Sequence, residues 1–128
     1  MGNQVTNIGG VLSAVTSTIA YTDSSAVTIG TVPANAQITS INIDVTTAFN
    51  AATTNTITVG KSGSAAAFVA STSIGSAGRA SVATTGVYSA WADVGSSDVP
   101  VTATYAQTGT AATAGVARVT IVYRSPAP

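Results

Sequence analysis

Residues 38–46 read Ile-Thr-Ser-Ile-Asn-Ile-Asp-Val-Thr, and the apolar Ile41, Ile43 and Val45 alternate with the polar Asn42, Asp44 and Thr46. A period of two belongs to a strand with one face in a core and the other in water. Val32-Pro33-Ala34-Asn35-Ala36 leads into it. Proline fixes φ and removes a donor there, and the small residues after it suit a turn, so a hairpin partner or a corner is expected before the strand. Val116–Arg124 repeats the pattern near the other end of the chain, with Ala117, Val119, Ile121 and Tyr123 on one face and Arg118, Thr120, Val122 and Arg124 on the other. These two strands are expected to define the core.

A chain of 128 residues is one domain of ordinary size, long enough to bury a core without metal or disulfide staples. Only 6% of its residues are charged, four basic and four acidic, where an ordinary soluble domain has roughly 25%. Ser, Thr, Asn, Gln and backbone must therefore cover the surface. Nucleic-acid affinity comes from clustered Lys and Arg that release counterions, and Lys61, Arg79, Arg118 and Arg124 are too few and too dispersed in sequence for that. A near-neutral chain also lacks the self-repulsion that keeps monomers apart, which points to a built-in assembly.

The chain has no cysteine and no histidine. Disulfides, thiolate chemistry, sulfur-ligated metals and His- or Cys-based triads are excluded, and no cofactor is expected. Residues 10–21 are moderately apolar but are interrupted by Ser and Thr and preceded by no cation, so neither a membrane span nor a secretory signal is expected. Met1-Gly2-Asn3-Gln4-Val5-Thr6 matches the N-myristoylation pattern, which is short and permissive, and reads as an ordinary start.

Residues 1–10 are polar and aperiodic and read as an arm. Residues 11–21 are rich in Val, Thr, Ile and Tyr and predict a strand. After the turn at Asp23-Ser24-Ser25, residues 26–31 predict a second strand, hairpinned to the first. Residues 48–54 lose the period around Phe49 and Asn50, and residues 55–60 regain it with Ile57 and Val59. A loop follows at residues 61–64. Residues 65–70, with Phe68 and Val69 in an alanine run, fit either a helical turn or a short strand. Residues 71–86 are dense in Ser, Gly, Ala and Thr and predict a long surface loop. Val87, Tyr88 and Trp91 follow, then turn material at residues 95–98 and a strand over residues 99–106 with Val101, Ala103 and Tyr105 on one face. Ser125-Pro126-Ala127-Pro128 forms a tail that cannot continue a ladder. About eight closely spaced strands, with no sustained helical amphipathicity, predict an all-β antiparallel sandwich over residues 11–124 with jelly-roll topology.

The inventory for catalysis reduces to four aspartates, Lys61, tyrosines and hydroxyls. Lys61 beside Ser62 sits in a glycine-serine loop where it keeps an ordinary high pKa and makes a poor base. Asp93 and Asp98 are the only close carboxylate pair, but their segment lacks the closing Glu of a calcium loop, and Asp and Ser beside glycine are the usual turn formers. Trp91, with Tyr88 and Tyr105, could stack on a sugar ring, yet large aromatics are more often core or interface anchors. Arg118 and Arg124 share a face and are placed to pair with Asp44 on a neighbouring strand.

The run Val27-Thr28-Ile29-Gly30-Thr31-Val32-Pro33-Ala34-Asn35-Ala36-Gln37-Ile38, with Ile43-Asp44-Val45-Thr46-Thr47-Ala48-Phe49-Asn50 and Thr56-Ile57-Thr58-Val59-Gly60, resembles small structural proteins of tailed-bacteriophage heads. These resemble the jelly-roll decoration or cement proteins that bind the outside of the capsid. The strands at residues 101–105 and 117–123 fit as well. The resemblance implies a non-enzymatic homotrimer seated on the outer surface of the virion at threefold and quasi-threefold positions. Its partner would be the major capsid protein, with no nucleic acid or membrane involved. The family motifs mark strands and turns rather than contacts, and Val5, Ile8, Val11, Leu12, Tyr88 and Trp91 are the candidates for capsid or subunit contact. The alternatives are a tail, connector or fibre component, and a carbohydrate-binding or adhesin domain using Trp91.

Overall fold

The computed structural model describes residues 12–82 and 89–125. The arm at residues 1–10, Val11, Tyr88 and the last three residues of the tail lie outside that range. The described chain runs β1 (Leu12–Ala20), β2 (Val27–Val32), β3 (Gln37–Thr47), β4 (Thr54–Lys61), β5 (Ser64–Ser73), β6 (Gly78–Val82), a short α1 (Ser89–Ala92), β7 (Val99–Thr108) and β8 (Val116–Arg124). One sheet has the order β1-β8-β3-β6 and the other β2-β7-β4-β5. Every strand pairing is antiparallel, and β1 lies with β8, β2 with β7, β3 with β6 and β4 with β5. That is a long hairpin rolled into two facing sheets, the jelly-roll sandwich expected from the strand spacing.

The two strands expected to define the core lie side by side, Ile41 opposite Ile121 and Ile43 opposite Val119. Ile41, Ile43, Val119 and Ile121 are fully buried and share one core with Ile57, Val59, Val101 and Phe68 of the other sheet. The alternation is broken twice in β3, and each break is a bulge. Ile38 and Ile41 are both buried although three residues apart, because the register shifts between Ile38 and Ser40 and leaves Thr39 unopposed. A second shift leaves Thr46 unopposed between Val45 and Thr47. An unopposed residue interrupts the ladder. At both places the threonine hydroxyl donates to a carbonyl of β8: Thr39 Oγ1 to Val122 O at 3.1 Å and Thr46 Oγ1 to Val116 O at 3.2 Å. A side chain without a hydrogen-bond donor could not make that repair.

Two expectations are corrected, and one pair of alternatives is decided. β1 and β2 are not a hairpin: they belong to opposite sheets, and Asp23 Oδ2 accepts the Ala20 N–H (2.7 Å) where the chain crosses. Residues 65–70 form strand rather than a helical turn, as part of β5. The expected surface loop over residues 71–86 contains the end of β5 and the edge strand β6. Gly78-Arg79-Ala80-Ser81-Val82 has no apolar period, and its pairing comes from β3, which is distant in sequence.

The element before β3 is a corner between sheets. Ala36 N donates to Pro33 O (3.2 Å), and Asn35 takes the left-handed conformation (φ 62°) that Asn tolerates. Gly60 marks another close approach: a Cβ there would lie 2.2 Å from the Ser64 carbonyl oxygen and 2.4 Å from the Ala65 carbonyl carbon, both backbone atoms of β5. Gly60→Ala should therefore destabilise the fold by about 3 kcal/mol, the upper end of overpacking costs. Urea denaturation followed by circular dichroism would show it as a lowered midpoint, and an unchanged midpoint would contradict the packing described.

Candidate functional site

The residues with chemical potential are taken up by the scaffold. Asp93 Oδ1 accepts the Gly95 N–H (2.9 Å) and Asp98 Oδ1 accepts the Ala34 N–H (3.0 Å). Asn35 N donates to Gly95 O (2.7 Å) and Val94 N to Ala36 O (3.1 Å), so this loop staples the Pro33 corner. The carboxylate pair is turn chemistry. Lys61 ends β4 at the Ser62-Gly63 turn, where Gly63 has a φ of 82°. Among the described residues no group of three or more acidic, His or Cys side chains is placed to hold a metal.

The aromatic residues do not form a platform. Trp91 is 7% exposed on α1, and its Nε1 donates to the Phe68 carbonyl of β5 at 2.8 Å. The β4–β5 register is broken there, between Val59 opposite Val69 and Lys61 opposite Ser64. The indole thus bonds a carbonyl at a place where the ladder is irregular, and Trp91 is a core side chain rather than a sugar-stacking surface or an exposed contact. Tyr105 is also buried, with its ring 4.7 Å from that of Phe49, and its hydroxyl donates to Asn55 Oδ1 (2.7 Å) with Gln107 Oε1 at 3.2 Å.

The outer face of the β1-β8-β3-β6 sheet is different in kind. Asp44 stands between Arg118 on β8 and Arg79 on β6 in the cross-strand register. The ion pair expected with Arg118 or Arg124 forms instead with Arg79, Nε to Oδ1 at 2.6 Å. The hydrogen bond and charge of Asp44 raise the Arg79 pKa above its usual range. An ion pair whose guanidinium is largely exposed contributes little to folding. Arg118 and Arg124 remain exposed on the same face of β8. Leu12, 56% exposed, lies opposite Arg124, and Val116, 37% exposed, is two residues from Arg118 on that face. Ala14, Thr16, Thr120 and Val122 fill the area between, with Thr16 and Thr120 hydroxyls 3.0 Å apart.

The outer face of the second sheet has none of this. Thr28 lies opposite Thr102, and Thr58 opposite Thr104, giving an uncharged threonine surface. Of the contact candidates, Leu12 is exposed on the arginine-bearing face and Trp91 is buried. Val5, Ile8, Val11 and Tyr88 lie outside the described residues. The grouping of Arg79, Arg118 and Arg124 was hidden because Arg79 falls in the stretch read as a loop; the only hint was the even spacing of Arg118 and Arg124.

No family model matches the chain, and no curated protein matches it. Among solved structures it is similar to a chain of the cyanophage Pam1 capsid asymmetric unit, with a TM-score of 0.74 and 21% identity over 98% of this chain and 93% of that one. It is also similar to a chain of the acidic stable capsid of Helicobacter pylori bacteriophage KHP30, with a TM-score of 0.69 and 12% identity over 94% of this chain and 92% of that one. At these identities the likeness is one of fold, and it spans nearly the whole of each chain.

Tyr105 carries a pH consequence. Burial raises its hydroxyl pKa above the ordinary 10.0, because the anion is the form that loses hydration. The folded value exceeds the unfolded one, so stability is full below pH of about 10 and is lost as pH rises through the folded value. Urea midpoints measured from about pH 8 to about pH 11 should fall at the alkaline end, and Tyr105→Phe should flatten that fall. An equal fall in the variant would assign it to other groups.

Proposed function

We propose that this chain is a non-enzymatic structural protein of a bacteriophage virion, bound as a homotrimer to the outer surface of the capsid and bridging capsomers of the major capsid protein. The observation that carries this reading is the fold match over more than nine-tenths of both chains with the Pam1 and KHP30 capsid chains. Those neighbours are about as long as this chain, so the likeness is to a whole small subunit rather than to one domain of a larger one. The disposition of the ionisable groups agrees: Asp23, Asp93 and Asp98 hold loops and Asp44 holds Arg79.

The mechanism is mass action. A subunit that binds the assembled shell and not its dissociated parts stabilises the shell by RT ln(1 + [L]/Kd) at each site, and many sites add. A neutral surface rich in hydroxyls suits close approach of copies, since no like charges must be desolvated together.

Light scattering of the purified protein should give the mass of three chains. Mixed with shells assembled from the cognate major capsid protein, it should cosediment to saturation and raise the temperature at which the shells come apart. A monomer that leaves the shells unbound and their melting unchanged would sink the reading.

A further inference from the structure

We propose that the outer face of the β1-β8-β3 strands is the surface that meets the capsid shell, and that the partner presents carboxylates to Arg118 and Arg124 beside small apolar contacts. This rests on the shell-binding reading and adds to it an orientation and a chemistry. Of the four Lys and Arg side chains, Arg79, Arg118 and Arg124 stand on this face, against Asp44 as its single acid. Asp44 already holds Arg79. Leu12 and Val116, the large apolar side chains most exposed among the described residues, are on the same face. Each exposed arginine therefore has an apolar neighbour, Leu12 across from Arg124 and Val116 along the strand from Arg118.

Arginine is enriched at interface centres, where apolar neighbours shield its bonds from water. The guanidinium fork matches a carboxylate in a bidentate way that an ammonium does not. Six residues along a strand separate Arg118 from Arg124 by about 20 Å, so the partner's acids must be spaced accordingly. A second copy of this chain is a poor complement. Its remaining acids sit in loops with one oxygen already accepting a backbone N–H: Asp23 from Ala20, Asp93 from Gly95 and Asp98 from Ala34. A nucleic acid is disfavoured too, since two exposed cations release few counterions and Leu12 and Val116 have no role on a phosphate backbone.

The test compares the wild-type chain with the double variant Arg118→Ser/Arg124→Ser, the double variant Arg118→Lys/Arg124→Lys, and Thr28→Asp on the opposite sheet. Each is titrated onto undecorated shells across a range of salt. Thermal melts should coincide for all four, because every position is exposed. The wild type should bind and weaken with salt. The serine variant should bind at least about tenfold more weakly with a flattened salt dependence, the lysine variant should fall between, and Thr28→Asp should match the wild type. Wild-type binding with an equally tight serine variant overturns the orientation and leaves the shell-binding reading standing. A wild type that binds no shell overturns both. Tight binding to duplex DNA that the serine variant loses would replace the protein partner with a polyanion and overturn the proposal.

Discussion

The structure depends on β8 finding its place between β1 and β3. It is paired on both sides, with Leu12 opposite Arg124 on one flank and Gln37 opposite Arg124 on the other. The last strand of the chain thus completes a ladder begun by the first, and β7 does the same between β2 and β4. The ladder of β1 with β8 joins the first described strand to the last, Leu12 with Arg124, and the others also pair strands far apart in sequence, so loop closure precedes the contacts that reward it, and folding of this topology is intrinsically slow. The buried row Ala117, Val119 and Ile121 holds β8 in register, because a slip by one residue would turn those side chains out and Arg118 in.

With few charges to spend, the chain completes its backbone hydrogen bonding with neutral side chains. Thr39 and Thr46 bridge the bulges of β3. Asn50 accepts from Thr113 N (2.8 Å) and Ala114 N (3.0 Å), latching the loop after β3 to the loop before β8. Gly115, with a φ of 151°, lets Phe49 close over that latch: a Cβ there would lie 2.4 Å from the ring. The same economy leaves the few charges informative, since those not needed in loops collect on one outer face.

The period-two stretches were legible because burial follows alternation directly. Residues 41, 43, 45, 117, 119 and 121 all point inward as read, and strand spacing was enough for the jelly-roll class. The bulges were not legible, because Ile38-Thr39-Ser40-Ile41 satisfies no single period and only the partner strand reveals the extra residue. β6 is not legible in sequence, because an edge strand of Gly, Arg, Ala and Ser takes its conformation from β3 rather than from propensity. The β1–β2 connection is not legible in sequence, because a turn signal at Asp23 says that the chain reverses, not which sheet it enters. Trp91 shows the limit for sites: its sequence context allows a platform, and only the bond to Phe68 places it in the core.

Fold and surface together describe a small rigid subunit with two unlike faces, one threonine-covered and one bearing arginine and exposed apolar groups. The proposed seat would turn the arginine-bearing face to the shell and the threonine-covered face to solvent. The most direct measurement is an electron cryomicroscopy reconstruction of the virus particle at a resolution that separates strands. Groups of three eight-stranded sandwiches on the outer surface of the head, with β8 turned toward the shell, are the predicted result. Density for the chain in the tail or connector, or on the inner wall of the head, would contradict it.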